Sequence, residues 1–452
     1  MVKMPCVLII AGSDSGGGAG MQADLKTCAA FGVHGLSAFT SITAQNTTTV
    51  TSIHDIPPDM VRAQIEAVIS DFEVHVAKTG MLHTADIIKV VAEEIEKYKL
   101  TTVVDPVMIA KSGAHLLKPE AIETYIKKLI PLATVLTPNA MEAESLTGIK
   151  VNTLEDAKSA AIKIAKLGSK SVVVKGGHIF SKDKAIDILY TNGNFHLIEG
   201  ERIETKTTHG TGCSFASAIA AGLAKGEDII EAVKAAKEFI TRSIRFGIEI
   251  GRGHGPVNPM ANLYNDAEKY VIMKNVKDAV EILESEPLVG NLVPESQTNI
   301  AMLSSYALNY QDAVAIPGRI VRLKNGVKAS SCPEFGASRH VAKTIQVAMK
   351  YDPSIRAGMN ILYSDQVLNV LKELGLTVSS YDRRQEPLEI KNIEGMTTPW
   401  GAEQAIKKIG KVPDAIYHDG DWGKEAMVVL LGKDAVGVAK LAVKIAKKLG
   451  EK

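Results

Sequence analysis

The sequence predicts two consecutive α/β domains, the first built on a parallel sheet covered by helices on both faces. Three observations predict it. Short β-branched runs alternate with segments whose apolar residues recur at helical spacing. Polar residues stand where several of those runs end, as they do where ligands bind at the carboxyl edge of an open α/β sheet. The 452 residues exceed one domain of ~100–200 residues, and a Gly-, Pro- and Asn-rich stretch over 251–265 divides them.

In the first part, segments 7–11, 74–79, 102–107, 134–137 and 171–175 read as strands. Val61, Ile65, Val68, Ile69 and Phe72 share one helical face, as do Ile87, Val90, Val91 and Ile95. The strand ends carry Lys78-Thr79-Gly80, Asp105-Pro106, Thr137-Pro138-Asn139 and Lys175-Gly176-Gly177, so these residues are expected to converge on one crevice. The boundary falls near residue 265, giving domains over 1–265 and 266–452. In the second part, Asn325-Gly326 between alternating residues predicts a hairpin over 319–330. Helices are expected at 337–349, 365–374, 402–409 and 435–449, and strands at 359–363, 377–381, 415–418 and 427–431. This makes a second α/β domain, with no internal repeat linking the halves.

Composition narrows the partners. Lys and Arg total 52 against 51 Asp and Glu, and a net charge of +1 argues against a nucleic-acid or membrane-surface binder. Cys6, Cys28, Cys213 and Cys332 show neither CxxC pairing nor zinc-ligand spacing, which points to a reduced, cytoplasmic setting. No apolar run approaches the ~20 residues of a membrane span. Small-molecule substrates are the expected partners, with a homodimer or higher homo-oligomer as the expected assembly.

Two motifs carry chemistry in the first domain. His209-Gly210-Thr211-Gly212-Cys213-Ser214 precedes a helix of small residues. Its glycines let backbone N–H groups converge, and the helix terminus adds positive potential, a nest suited to a transferring phosphoryl group. A turn that merely caps a closely packed helix has the same pattern. Cys213 in the first helical turn is expected to have a lowered pKa and to serve as a base or thiolate; otherwise it is buried filler. The second motif runs from Gly12 to Asp24 after the first strand, and its glycines do not have Rossmann spacing. Asp24 or Gln45 suits the donor and acceptor pair of an aminopyrimidine edge, and each is equally readable as a solvated polar residue.

Together with TSITAQNT, KTGML, VVDPVMIAKSG, LTPNAMEAESLTG and VVVKGGH, the segments AGSDSGGGAGMQADLKT and THGTGCSFASAIAA closely resemble the hydroxymethylpyrimidine/phosphomethylpyrimidine kinases of the ribokinase superfamily, colinearly over about 5–260. The resemblance implies a ribokinase-like three-layer α/β/α fold and two successive ATP-dependent phosphorylations of one substrate. It further implies Gly12, Asp24, Gln45, Met81 and Val107 around the pyrimidine. Asp105 and Glu142 would hold Mg²⁺ through water, with Asn139, Lys175 and Thr211 at ATP and Gly210 to Cys213, including Gly212, as the anion hole. Sugar kinases of this superfamily place an aspartate base where Cys213 stands, so the cysteine argues against a sugar substrate.

The second domain is rich in candidate anion ligands. Phe335-Gly336-Ala337-Ser338-Arg339-His340 opens a helical pattern, with Ser338 as its expected cap. Arg319, Arg356, Arg383, Arg384 and Lys424 add cations near strand or turn ends, where guanidinium forks suit phosphates. Each is otherwise a solvated surface charge. Adjacent His418 and Asp419 lack a third partner and argue against a metal. PGRIVRL, FGASRHVAKTI, SYDRRQEP and DGDWGKEAMVV resemble the archaeal-type thiamine-phosphate synthase domain over about 270–450. That resemblance implies coupling of the pyrimidine diphosphate to a thiazole phosphate, and the similarity extends toward an aldolase-like three-layer fold. Arg339 and His340 are the pair expected to stabilise pyrophosphate, followed by Arg319, Asn360, Arg383 and Lys424. The same domain type also serves as a non-catalytic thiamine-phosphate sensor, which is the alternative reading.

Overall fold

The computed structural model describes residues 4–451 except 110–112, 114, 178, 180, 182, 392–395 and 422–423. The chain divides into two compact units, Met1–Leu263 and Tyr264–Lys452. The helix Ala261–Glu284 already begins inside the stretch that the composition marks as a connector. Among the described residues no helix is long and apolar enough to cross a membrane.

The first unit is built on nine strands: β1 (Cys6–Asp14), β2 (His34–Gln45), β3 (Val50–Asp55), β4 (Val76–Thr79), β5 (Thr102–Val104), β6 (Val135–Leu136), β7 (Ser171–Lys175), β8 (Lys184–Thr191) and β9 (Asn194–Glu201). They lie in the order β3-β2-β1-β4-β5-β6-β7-β8-β9. From β2 to β7 neighbours are parallel, as expected; β3, β8 and β9 add antiparallel margins. Alternation along β1 shows why both faces are covered. Val7, Ile9 and Ala11 pack with Met21, Phe215, Ile219 and Val233 from the helices Gly20–Ala30, Thr211–Ala224 and Ile229–Arg245. Leu8 and Ile10 face the opposite core, with Val61, Ile65, Ile87, Val91 and Ile164. The unit therefore has three layers.

The expected strand over 102–107 stops at Val104, because Pro106 has no N–H for the ladder. That early exit puts Asp105 at the sheet's carboxyl edge. The β8–β9 hairpin closes through Asn192-Gly193, both at positive φ (49° and 77°), the geometry of a type I′ turn.

The second unit contains β10 (Ile300–Leu303), β11 (Ala313–Ala315), β12 (Ile320–Leu323), β13 (Gly326–Ala329), β14 (Glu334–Phe335), β15 (Ala357–Leu362), β16 (Val378–Ser380), β17 (Ala415–His418) and β18 (Met427–Gly432). Its main sheet runs β14-β11-β10-β15-β18-β17-β16, antiparallel except between β16 and β17. Met302, Met359, Ile361 and Leu430 point toward the helices Ala261–Glu284, Asp365–Glu373 and Ala435–Gly450. Ala301, Leu303, Val429 and Leu431 point toward Arg339–Tyr351 and Thr397–Ile409. This unit too is a three-layer α/β structure. The separate β12–β13 hairpin pairs Leu323 with Gly326, so the loop is Lys324-Asn325, one position before the expected Asn325-Gly326.

Each unit encloses cores on both faces of its own sheet, so a chain cut after Leu263 is expected to melt in one cooperative calorimetric transition. A fragment without such a transition would show that the first unit needs the second to fold.

Candidate functional site

The parallel strands end at a cavity of about 440 Å³. Gly12 comes from β1, Gln45 from β2, Met81 from beyond β4, and Asp105 and Val107 from beyond β5. Asn139 and Glu142 come from the start of the helix Ala140–Thr147, Lys175 from β7, and Gly210, Thr211, Gly212 and Cys213 from the start of Thr211–Ala224. All the site residues expected in the first domain therefore meet here except Asp24.

Charge is concentrated at one end of this cavity. Lys175 Nζ lies 3.0 Å from Asp105 Oδ1, which also accepts from Thr137 Oγ1 at 3.1 Å. Asn139 and Glu142 form a reciprocal cap: Asn139 N donates to Glu142 Oε2 at 2.7 Å, and Glu142 N to Asn139 Oδ1 at 2.9 Å. Burial, reinforced by Asp105 and opposed by Lys175, pushes the Glu142 carboxyl up to about 7. Burial works against the Lys175 ammonium, but Asp105 and Glu142 outweigh it and hold its pKa above the ordinary lysine value.

The glycines of the anion loop have separate reasons. Gly210 takes φ +81°, and a Cβ there would sit 1.9 Å from Gly18 O. A Cβ on Gly212 would sit 3.3 Å from Lys175 Nζ and 3.5 Å from Asp105 Oδ2. The expectation for the Cys213 thiol is corrected. Burial pushes it up to about 12, and the nearby Lys78 offsets only part of that cost. A helix terminus lowers a thiol pKa where water can still solvate the thiolate; here desolvation of the charged form outweighs it.

Asp24 is also corrected. It is fully buried, with Oδ2 2.7 Å from Lys78 Nζ and Oδ1 accepting from Ser217 Oγ at 2.7 Å. Both oxygens are engaged away from the cavity wall, so Asp24 does not face a pyrimidine. Burial disfavours the Lys78 ammonium, but Asp24 holds its pKa above the usual lysine range. Lys78 was expected at the crevice as a strand-end residue; it is instead fully buried on Asp24, because an apolar strand gives no sign that its one cation will point inward.

Asp14 and His209 were overlooked as a pair. Asp14 accepts from Gly16 N at 2.8 Å, Gly18 N at 3.0 Å, Ala19 N at 2.8 Å and His209 Nε2 at 2.9 Å. Burial pulls its pKa upward, yet His209 and the amides of Gly16 and Ala19 leave it below the ordinary carboxylate value. An aspartate two positions ahead of a glycine run was the available signal, since its carboxylate suits successive backbone donors.

The second unit holds a cavity of about 650 Å³ that brings together Arg319, Arg339, His340, Asn360, Arg383 and Lys424, with Lys343, Thr398, His418 and Glu425. Arg319 has φ +73° and donates to Ser296 O. Arg383 Nε is buried with no hydrogen-bond partner among the described residues. Loss of water around the ring, then Arg383, Arg319, Lys424 and Lys343, push His340 down to about 4, so it is neutral at pH 7. Its ring contacts Thr398 Oγ1 through Nδ1 at 3.1 Å. Asn360 is corrected: its Oδ1 accepts from Asn299 N at 2.7 Å and its Nδ2 donates to Gln297 O at 3.0 Å, so it braces the wall rather than offering itself to a phosphate. Ser338 stands at the N-cap of Arg339–Tyr351, but its hydroxyl makes no cap bond. Arg356 pairs with Glu268 and Arg384 with Asp382, outside the cavity. Trp422 and Gly423 of the 418–425 cluster lie outside the described residues. Among the described residues no group of three or more His, Cys, Asp or Glu is arranged to hold a metal.

Residues 14–258, more than half of the chain, match the profile of the phosphomethylpyrimidine kinase family. The chain belongs to that family. Residues 275–444 match the profile described as thiamine-phosphate synthase ThiN. The hydroxymethylpyrimidine/phosphomethylpyrimidine kinase of Haemophilus influenzae is 49% identical over 265 residues, covering 58% of this chain and 98% of that protein. The thiamine biosynthesis bifunctional protein ThiED of Geobacter sulfurreducens is 49% identical over 253 residues, covering 56% of this chain; the chain spans about half (51%) of that relative's length. Among solved structures, Bacillus subtilis pyridoxal kinase in its ADP complex is 41% identical with a TM-score of 0.54, covering 58% of this chain and 99% of that one. This phosphomethylpyrimidine kinase family member thus has the ribokinase-like fold in its first unit, followed by a second α/β domain.

Removing one member of a buried ion pair strands the other. Asp24→Asn is expected to destabilise the first unit by about 3–5 kcal/mol, read from urea unfolding. A loss within experimental error would mean that Lys78 is not held as a buried charge.

Proposed function

We propose that the first unit transfers the γ-phosphoryl group of ATP to 4-amino-5-hydroxymethyl-2-methylpyrimidine and then to its monophosphate. We propose further that the second couples the diphosphate to thiazole phosphate, giving thiamine monophosphate and pyrophosphate. The observation that carries the kinase reading is the convergence of the Gly210–Cys213 helix terminus, Lys175 and Asp105 on the cavity that Gln45 and Met81 also line. The family match and the names of the relatives support the substrate class.

In this reading the amides of the anion loop and Lys175 hold the phosphoryl oxygens as charge develops, and Gln45 orients the ring. Asp105 and Glu142 fit a divalent cation: they are two buried carboxylates whose repulsion contributes to lifting Glu142. When bound there through water, Mg²⁺ would neutralise phosphate charge. Cys213 faces the two steps unequally. The hydroxyl of the first substrate must lose a proton, and a thiolate can accept it; the phosphate attacked in the second step is already anionic.

Because the thiol is held at about 12, its reactive fraction grows with pH across the neutral range. The first-step kcat/KM is expected to rise from pH 7 to 9 in the parent. Cys213→Ala should lose ~10²–10⁴-fold in that step with less effect on the second. Equal losses in both steps would assign Cys213 to a shared structural role. Glu142 adds a second pH effect. Below about 7 its proton competes with a cation, so the Mg²⁺ activation constant should rise by about tenfold per pH unit and level off above it. A flat profile, or one unchanged in Glu142→Gln, would remove Glu142 from the metal site.

For the second unit, the cationic cavity with Arg383 Nε unpartnered supports recognition of a pyrophosphate or phosphate. Neutral His340 donates a hydrogen bond there rather than a charge. Prepared diphosphate and thiazole phosphate, supplied without ATP, should give thiamine monophosphate, and Arg339→Ala or His340→Ala should abolish most of it while both kinase steps persist. No product from the parent across several divalent metals would leave the second unit as a binding module. The likeness to pyridoxal kinase favours one further reading of the first cavity, phosphorylation of pyridoxal. Turnover of the pyrimidine monophosphate separates the two, since pyridoxal phosphorylation needs no second transfer.

A further inference from the structure

Four side chains that line the first cavity, Asp14, Thr43, Gln45 and His209, form a hydrogen-bonded chain. His209 Nε2 lies 2.9 Å from Asp14 Oδ2 and 3.3 Å from Gln45 Nε2. Gln45 Oε1 lies 3.3 Å from Thr43 Oγ1, and the Thr43 hydroxyl donates to Ser13 O at 2.7 Å.

Proton counting decides which way the Gln45 amide faces. Asp14 already accepts from three backbone N–H groups and has only lone pairs to offer, so His209 Nε2 must carry the proton between them. That nitrogen then has no lone pair for an amide N–H. Thr43 has one hydroxyl proton, and the shorter contact to Ser13 O takes it; toward Gln45 it offers lone pairs, which repel Oε1. Turning the amide by about 180° removes both conflicts. Oε1 then shares the His209 N–H with Asp14 as a three-centre bond, and Nε2 donates to Thr43.

We infer that Asp14 and His209 determine substrate specificity by holding the Gln45 amide with its oxygen toward His209 and its nitrogen toward Thr43. The amide then presents its remaining N–H and oxygen lone pair in one fixed order. An aminopyrimidine edge, a ring nitrogen beside an amine, meets such an ordered pair, whereas the hydroxyl and aldehyde of pyridoxal offer no matching amine. Without the His209 N–H the amide turns freely and accepts either edge. The inference rests on the pyrimidine-kinase reading of the cavity and adds the residues that set its selectivity.

The test compares kcat/KM for hydroxymethylpyrimidine and pyridoxal in the full-length protein. His209→Phe keeps a ring beside Gly18 but has no donor. It should lower the pyrimidine-to-pyridoxal ratio by roughly 10–100-fold, mainly through KM for the pyrimidine. His209→Gln restores an N–H and should recover most of the ratio, and Thr43→Val, which removes the acceptor at the other end of the amide, should repeat the loss. Equal falls on both substrates, or no recovery in His209→Gln, would overturn the inference and leave His209 a packing residue. No pyrimidine turnover by the parent would overturn the functional reading, and this inference with it; turnover with an unchanged ratio in the variants would overturn the inference alone.

Discussion

The buried ion pair between Lys78 and Asp24 is the contact on which the first site depends. It joins a central strand to the helix Gly20–Ala30, and through Ser217 to the helix that begins at the anion loop. Ser217 and Cys213 are one helical turn apart, so anchoring Ser217 fixes the rotation of that helix and with it the direction of its first-turn amides. Two charges withdrawn from water are expensive unless the geometry is good and the remaining valences are filled. Here both carboxylate oxygens are engaged. The sheet thus sets the position of the glycine loop before this helix from below through a rigid polar contact, where apolar packing alone would allow sliding.

The two cavities solve different electrostatic problems. In the first, Lys175 pairs with Asp105 and is also influenced by the Glu142 carboxylate, so the local field is mixed in sign. In the second, Arg319, Arg339, Arg383, Lys343 and Lys424 gather around a neutral imidazole, with Glu425 committed to the backbone amides of Glu295 and Ser296. That field is strongly one-signed, although the chain as a whole is almost neutral. Overall composition spoke only for the average and was silent about this local imbalance.

Much of the architecture was legible because periodicity reports burial. The strand at Ser171–Lys175 and the helices of the second unit follow from apolar spacing, and the residues gathered at the first cavity follow from strand ends. What was not legible depended on which way a side chain points. Asp24 and Asn360 are the right residue types in the right neighbourhood, yet each is consumed by an internal partner that lies far away in sequence. The Lys78–Asp24 pair and the Asp14–His209 contact were missed for the same reason. The Cys213 thiol was misjudged because a helix terminus can be read from sequence, whereas exclusion of water cannot. The outer strands β8 and β9 were overlooked although Asn192-Gly193 carries a plain hairpin signal.

The close approach of Gly18 and Gly210 makes the glycine-rich loop and the anion loop a single mechanical part. The carbonyl of Gly18 occupies the place where any side chain at position 210 would begin, and His209 and Pro256 crowd the corresponding place at position 18. Neither loop can therefore be exchanged, lengthened or given a side chain at these points without displacing the other. For chimeras between related kinases, the unit of inheritance is the pair: a transplanted recognition loop will seat only if the matching anion loop travels with it.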